Sequence, residues 1–240
     1  ITGSGNSGYV YSDSYGFQTG GIVGFNRGGI IENCRNDGSI KGETGVGGIS
    51  GHNMAYRYDS TISRCCNTGN ISGMSHVGGI AGENADCVDV IASVTDCYNT
   101  GSVTGGSSTG GIVGINMFNS NAFITRNYSV GSVPRGSGVV GTVNYIGSGC
   151  ITMEYPCTIG ISKCYYLSGA SVGGVSGSTN AYGRAIPLTD AQMKTQGSFV
   201  GWDFSNVWTM DGNPDYAYPE LQGMAYGQVQ TEAVSVSQNT

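Results

Sequence analysis

The sequence predicts an all-β fold, a right-handed parallel β-helix (solenoid) of about six coils with a C-terminal cap. Three observations predict it. One motif recurs at intervals of 27, 31, 32, 27 and 36 residues, and a period of this size marks a stacked repeat. Glycine supplies 43 of 240 residues, as close backbone approach and tight bends require. Neither repeated block carries an apolar stripe of helical period, and both alternate apolar and polar positions as strands do.

The first block is Gly-Gly-Ile-x-Gly-x-Asn. It begins at Gly20, Gly47, Gly78 and Gly110, with weaker copies at Ser137 and Gly173. The second is Ile-x-x-Cys-x-Asn-x-Gly-x-Ile. It begins at Ile31, Ile62 and Val94, changes at Ile124, where Asn127 replaces the cysteine, and decays at Ile161. Spacing inside each block is fixed. The variation falls between the Asn of block one and the Ile of block two, where the first four steps are five, nine, ten and eight residues. Rigid segments with one elastic segment describe stacked strands with a single projecting loop.

A lone coil cannot bury its apolar face, so the coils must stack. Parallel crossovers are right-handed, and six coils at the strand spacing of about 4.8 Å make a rod roughly 30 Å long. Equivalent residues then form ladders. Ile22, Ile49, Ile80, Ile112 and Val139 point inward. Asn36, Asn67 and Asn99 stack side-chain amides from coil to coil at a turn. Cys34, Cys65, Cys97 and Cys164 share one position and form a buried ladder of free thiols behaving as small hydrophobes.

The Gly-apolar-x-Gly core of these copies, from Gly20 to Gly177, resembles the GLUG motif. That family occurs in bacterial surface proteins, among them adhesin-like proteins and non-catalytic regions of IgA-specific metallopeptidases. The resemblance implies a packing unit on an extracellular bacterial surface, and names no ligand. Ile stands here where the motif's name has Leu.

The chain opens on Ile1-Thr2-Gly3, which matches Ile71-Ser72-Gly73 within a later repeat. Residues 1–180 are therefore read as a β-helix that starts mid-repeat in a larger polypeptide. Residues 181–223 read as the cap. Within it, Leu188–Lys194 is expected to be a short helix with Thr189 as N-cap. Phe199, Trp202, Phe204, Val207 and Trp208 are expected to plug the last coil. Residues 224–240 read as a linker or the start of a next domain.

A net charge of −6 with ten dispersed Lys and Arg argues against nucleic acid. No apolar run is long enough to cross a membrane as a helix. No cofactor is expected. There is no Cys-x-x-Cys pair and there are two histidines, so no metal site is expected either. Cys150 and Cys157 share the longest loop and could form a stapling disulfide; Cys66 and Cys87 could cross-link neighbouring coils.

No zincin motif or nucleophile elbow is present. The most enzyme-like constellation is Glu83, Asp86 and Asp89, with His52, Arg57 and Asp59 at the matching place one coil earlier. It would suit a polysaccharide lyase or hydrolase. The elastic loops are the stronger candidate, since insertions on one face of a solenoid often bind. They carry Tyr56, Arg57, Tyr58, Asp59, Asp86, Asp89, Phe118 and Asn119. The expected function is a non-catalytic extracellular module binding a host or matrix glycan or protein along this edge. The alternatives are a carbohydrate-active enzyme and a passive spacer.

Overall fold

The computed structural model describes residues 1–13, 17–87, 89–118, 121–145, 160–176, 183–211 and 217–224. They wind into a parallel β-solenoid of about five turns. The count falls short of six because the repeats at both ends contribute incomplete turns. Each turn runs through three sheets. The glycine sheet holds block one, for example Thr44–Gly47 and Ser50–Ala55. After the elastic loop, the cysteine sheet holds block two, as in Ser60–Ser63 and Cys66–Asn67. A narrow sheet follows, as in Ile71–Ser72. Equivalent residues pair across the central coils: His52, Asn53 and Met54 face Glu83, Asn84 and Ala85, and Ile62 faces Val94; the last pairings shift in register.

The interior is divided. One apolar column contains Ile49, Ile80, Ile112 and Val139 from block one, with Ile31, Ile62, Val94 and Ile124 from block two. A second, thinner column contains Ile40, Val46, Ile71, Val77, Val103 and Val133. In chain order the amide ladder and the Gly-Gly pairs separate the two columns. Each amide donates to the next: Asn36 Nδ2 to Asn67 Oδ1 at 2.6 Å and Asn67 Nδ2 to Asn99 Oδ1 at 2.7 Å. Each also donates within its own turn, to the carbonyl of Gly38, Gly69 or Gly101. Asn6 extends the ladder below, donating to Asn36 Oδ1. The glycines make room for it. A Cβ on Gly79 would lie 2.2 Å from the Gly111 carbonyl oxygen and 2.5 Å from Asn99 Cγ. Gly-Gly and Asn-x-Gly are therefore two halves of one contact.

The cysteine ladder forms as expected. Cys34, Cys65, Cys97 and Cys164 are buried free thiols. The residue before each one, Asn33, Arg64, Asp96 or Lys163, has a positive φ of 50° to 54°. Such a bend is uncommon for side-chain-bearing residues. The thiols serve it directly. Each donates to the carbonyl two residues back, as Cys65 does to Ser63 at 3.1 Å. Each of the two upper sulfurs of the run also accepts a backbone N–H from the coil before: Cys34 N to Cys65 Sγ and Cys65 N to Cys97 Sγ, both 3.4 Å. Asn127 fills the same office, its Oδ1 accepting from Cys97 N at 2.8 Å. Burial pushes the Cys164 thiol up to about 11, and the hydrogen bond with Cys65, followed by burial, raises Cys34 further. These are structural thiols.

Cys66 and Cys87, weighed as a cross-link, are both free. Cys66 lies against Met224, with the two sulfurs 3.3 Å apart. Cys150 and Cys157 lie outside the described residues.

The expected helix is shorter than its sequence signal, Asp190–Met193, because Leu188 belongs to the strand Gly183–Leu188. Thr189 caps it through a full capping box with Gln192. The aromatics after it do not plug the last coil. They fold back along the flank of the cysteine sheet, over the outward ladder Tyr98, Tyr128 and Tyr165. Trp208 is fully buried and its indole N–H reaches Asp96. Trp202 donates to the Lys163 carbonyl, and Tyr128 donates to the Pro219 carbonyl. The aromatic ladder offers a flat apolar strip several coils long. Covering that strip buries more ring surface than a plug across one coil would.

Candidate functional site

Two groups of chemically active side chains emerge from the loop edge and the strands that feed it. The first is built on the loop between Ala55 and Ser60. The preceding strand, Ser50–Ala55, is held by pairing on both sides, so the loop leaves it in a fixed direction. Tyr56, Arg57 and Tyr58 project from it and are exposed. From the coil below comes Arg27, at the end of the strand Val23–Arg27. Its guanidinium lies over the Tyr56 ring at 4.1 Å, and that of Arg57 lies 5.8 Å from the same ring. Gly28 completes the floor in the left-handed region, φ 66°, its N–H donating to the Met54 carbonyl. A Cβ at Gly28 would come within 3.2 Å of Tyr58 Cβ. Arg27, Gly28, Tyr56, Arg57 and Tyr58 line an open cavity of about 440 Å³.

The other predicted loop residues go elsewhere. Asp59 is exposed, and its Oδ1 accepts the Ile91 N–H of the next coil at 2.8 Å. Asp86 is buried, with Oδ2 accepting the Asn121 N–H at 3.0 Å. Asp89 is exposed with a φ of 65°. Phe118 ends the strand Val113–Phe118. Asn119 lies outside the described residues. Asp59 and Asp86 thus tie loop to loop, and three of the eight candidates share one cavity.

The second group lies on the glycine sheet. His52 and Glu83 face each other in register, with His52 Nδ1 3.1 Å from Glu83 Oε2. His76, seven residues before Glu83, adopts a φ of 51° and brings its Nδ1 to 2.7 Å from Glu83 Oε1. Gln18 approaches His52 Nδ1 at 3.3 Å and Phe25 packs edge-on against its ring. Glu83 and His52 are both buried. Burial holds the His52 imidazole below its usual range. Both histidines of the chain thus close on one carboxylate. Glu83 is engaged on both carboxylate oxygens by the two rings. Among the described residues no cluster of His, Cys, Asp or Glu is arranged to hold a metal ion.

Sequence reasoning missed Arg27 and His76. Arg27 directly follows the block-one Asn, where the other coils carry Met54, Ala85 and Met117, and that substitution was the signal. His76 shares its position with Gln18, Gly45 and Ser108, all of positive φ. A second amide ladder, Asn26–Asn53–Asn84–Asn116, runs at 2.8 Å per step. It was visible in the motif and fixes the strand just before each loop.

A family model described as the GLUG motif matches residues 15–41 and 74–104. Those two stretches carry the GLUG motif. No curated protein matches the chain. Among solved structures, a "putative immunoglobulin A1 protease" from Bacteroides ovatus is similar to this chain. The two share 18% identity at a TM-score of 0.51, over 85% of this chain and 74% of that one. At that identity the likeness is one of fold.

Proposed function

We propose that this GLUG-repeat solenoid is a non-catalytic module of a larger bacterial surface or secreted polypeptide, and that it binds a host or matrix ligand through its loop edge. The observation that carries the reading is the cavity at Arg27, Tyr56, Arg57 and Tyr58. Exposed rings and cations from two coils converge there, and Tyr and Arg are the residues that binding surfaces concentrate. The rigid ladders beneath it give the preorganisation that a binding site needs. The repeat supports a scaffold role, since motifs of this kind are packing units and function lies in what projects from them.

The test is an array of glycans and matrix proteins probed with the purified chain, then with Tyr56→Ala and Tyr58→Ala. Saturable binding that both substitutions weaken supports the reading. Release of reducing sugar from any bound polysaccharide would replace it with a carbohydrate-active enzyme. Silence on every spot would leave a spacer.

A further inference from the structure

We infer that the cavity at Arg27, Tyr56, Arg57 and Tyr58 is a subsite for a carboxylated or sulfated sugar. This rests on the loop-edge reading above and narrows it to a ligand class. The chain is acidic overall, with ten Lys and Arg against sixteen Asp and Glu. Yet two guanidinium groups from successive coils meet here without a carboxylate partner among the described residues. Arg35 and Arg126, by contrast, are each paired with an aspartate. The Arg57 loop keeps its own acid away: Asp59 is turned to the Ile91 N–H. Holding two like charges near one ring has a cost, which an incoming anion removes.

The anchors differ in what they offer. The Arg27 guanidinium lies over the Tyr56 ring at 4.1 Å, a cation–π contact that leaves N–H groups for bonding to an oxyanion. Tyr58 is 73% exposed, so its ring offers a stacking platform. A volume of about 440 Å³ is at the small end of ligand sites and suits one or two pyranose rings. A ring with a carboxylate or sulfate uses both features together. An acidic peptide would use the cations and leave the Tyr58 face idle.

The experiment is calorimetric titration of the whole chain with four probes: an oligogalacturonide, its neutral methyl ester, a sulfated oligosaccharide of the same length, and poly-glutamate. The oligogalacturonide or the sulfated sugar should bind, and the methyl ester should bind at least about tenfold more weakly. Arg27→Gln and Arg57→Gln should each weaken binding about fivefold or more, and affinity should fall with added salt. Tyr58→Ala should weaken sugar binding without steepening the salt dependence. Circular dichroism and melting curves establish that each variant is folded. Equal affinity for acid and ester, or unchanged affinity in both arginine variants, overturns the inference. So does poly-glutamate binding without sugar binding. If array ligands bind and lose affinity in Tyr56→Ala while no anionic sugar binds, the ligand class falls and the adhesive edge stands. If nothing binds in either experiment, both fall.

Discussion

The two margins of the cysteine sheet behave in opposite ways. At the corner where cysteines and asparagines turn the chain, each coil repeats the one below it, and each side chain's main partner is its own copy. At the loop margin, spacing varies and each side chain finds a different partner: Arg27 a tyrosine, Asp59 a backbone N–H, Asp86 another. A residue that stacks on its copy is constrained by its neighbours above and below. A residue in a variable loop is constrained only where something unique meets it. Stability therefore concentrates at the corner, and the proposed recognition at the loops.

The sharpest way to break this contrast is to fill the waist. Gly79→Val places side-chain atoms inside the Gly111 carbonyl and the Asn99 amide, and overpacking against backbone costs about 3 kcal/mol or more. The expected outcome is loss of cooperative unfolding in a denaturant titration. Trp208→Ala comes next. It empties a fully buried indole site over Tyr98 and Tyr128 and should cost about 3–5 kcal/mol, read as a fall in denaturation midpoint. Asn67→Ala removes the acceptor for one Asn36 Nδ2 hydrogen and the donor to Asn99 Oδ1 and the Gly69 carbonyl, for a loss of about 2 kcal/mol. Removing the exposed Tyr58 ring should change stability by less than about 0.5 kcal/mol while weakening the proposed loop-edge binding. A destabilisation by Tyr58→Ala as large as that by Asn67→Ala would erase the distinction.

The pH response separates the same regions. Burial raises Cys66 and Cys164 to about 11 from an ordinary 9.0. The native chain thus resists an ionisation that the unfolded chain undergoes. Stability present below pH 9 should fall as pH rises from there toward 11. His52 acts at the other end. Burial lowers it below its ordinary 6.5, so the unfolded chain takes up the proton first. That contribution is present above pH 6.5 and is lost on acidification below it. Melting temperatures across pH should show both limbs, and His52→Gln should flatten only the acid one.

Much of the corner was legible in the sequence. Cys34, Cys65 and Cys97, or Asn36, Asn67 and Asn99, recur because each copy meets the next at one register, so spacing reports contact. The loop cavity was half legible. Tyr56, Arg57 and Tyr58 stood out as loop residues, but Arg27 belongs to the previous coil's strand and joins them only once coils stack. The eight predicted binding residues were grouped by loop membership; the structure gathers Tyr56, Arg57 and Tyr58 in one cavity and turns Asp59 and Asp86 to backbone N–H groups of the next coil.

The sequence by itself determined the coil, its ladders and its elastic loop, because contacts between identical positions leave a period. Only the tertiary structure decided which face the aromatic segment covers, that both histidines meet Glu83, and that Arg27 lies on Tyr56. Those contacts join unlike residues, 112 positions apart for Asp96 and Trp208, and occur once. A contact made once leaves no period to read, so only folding reveals it.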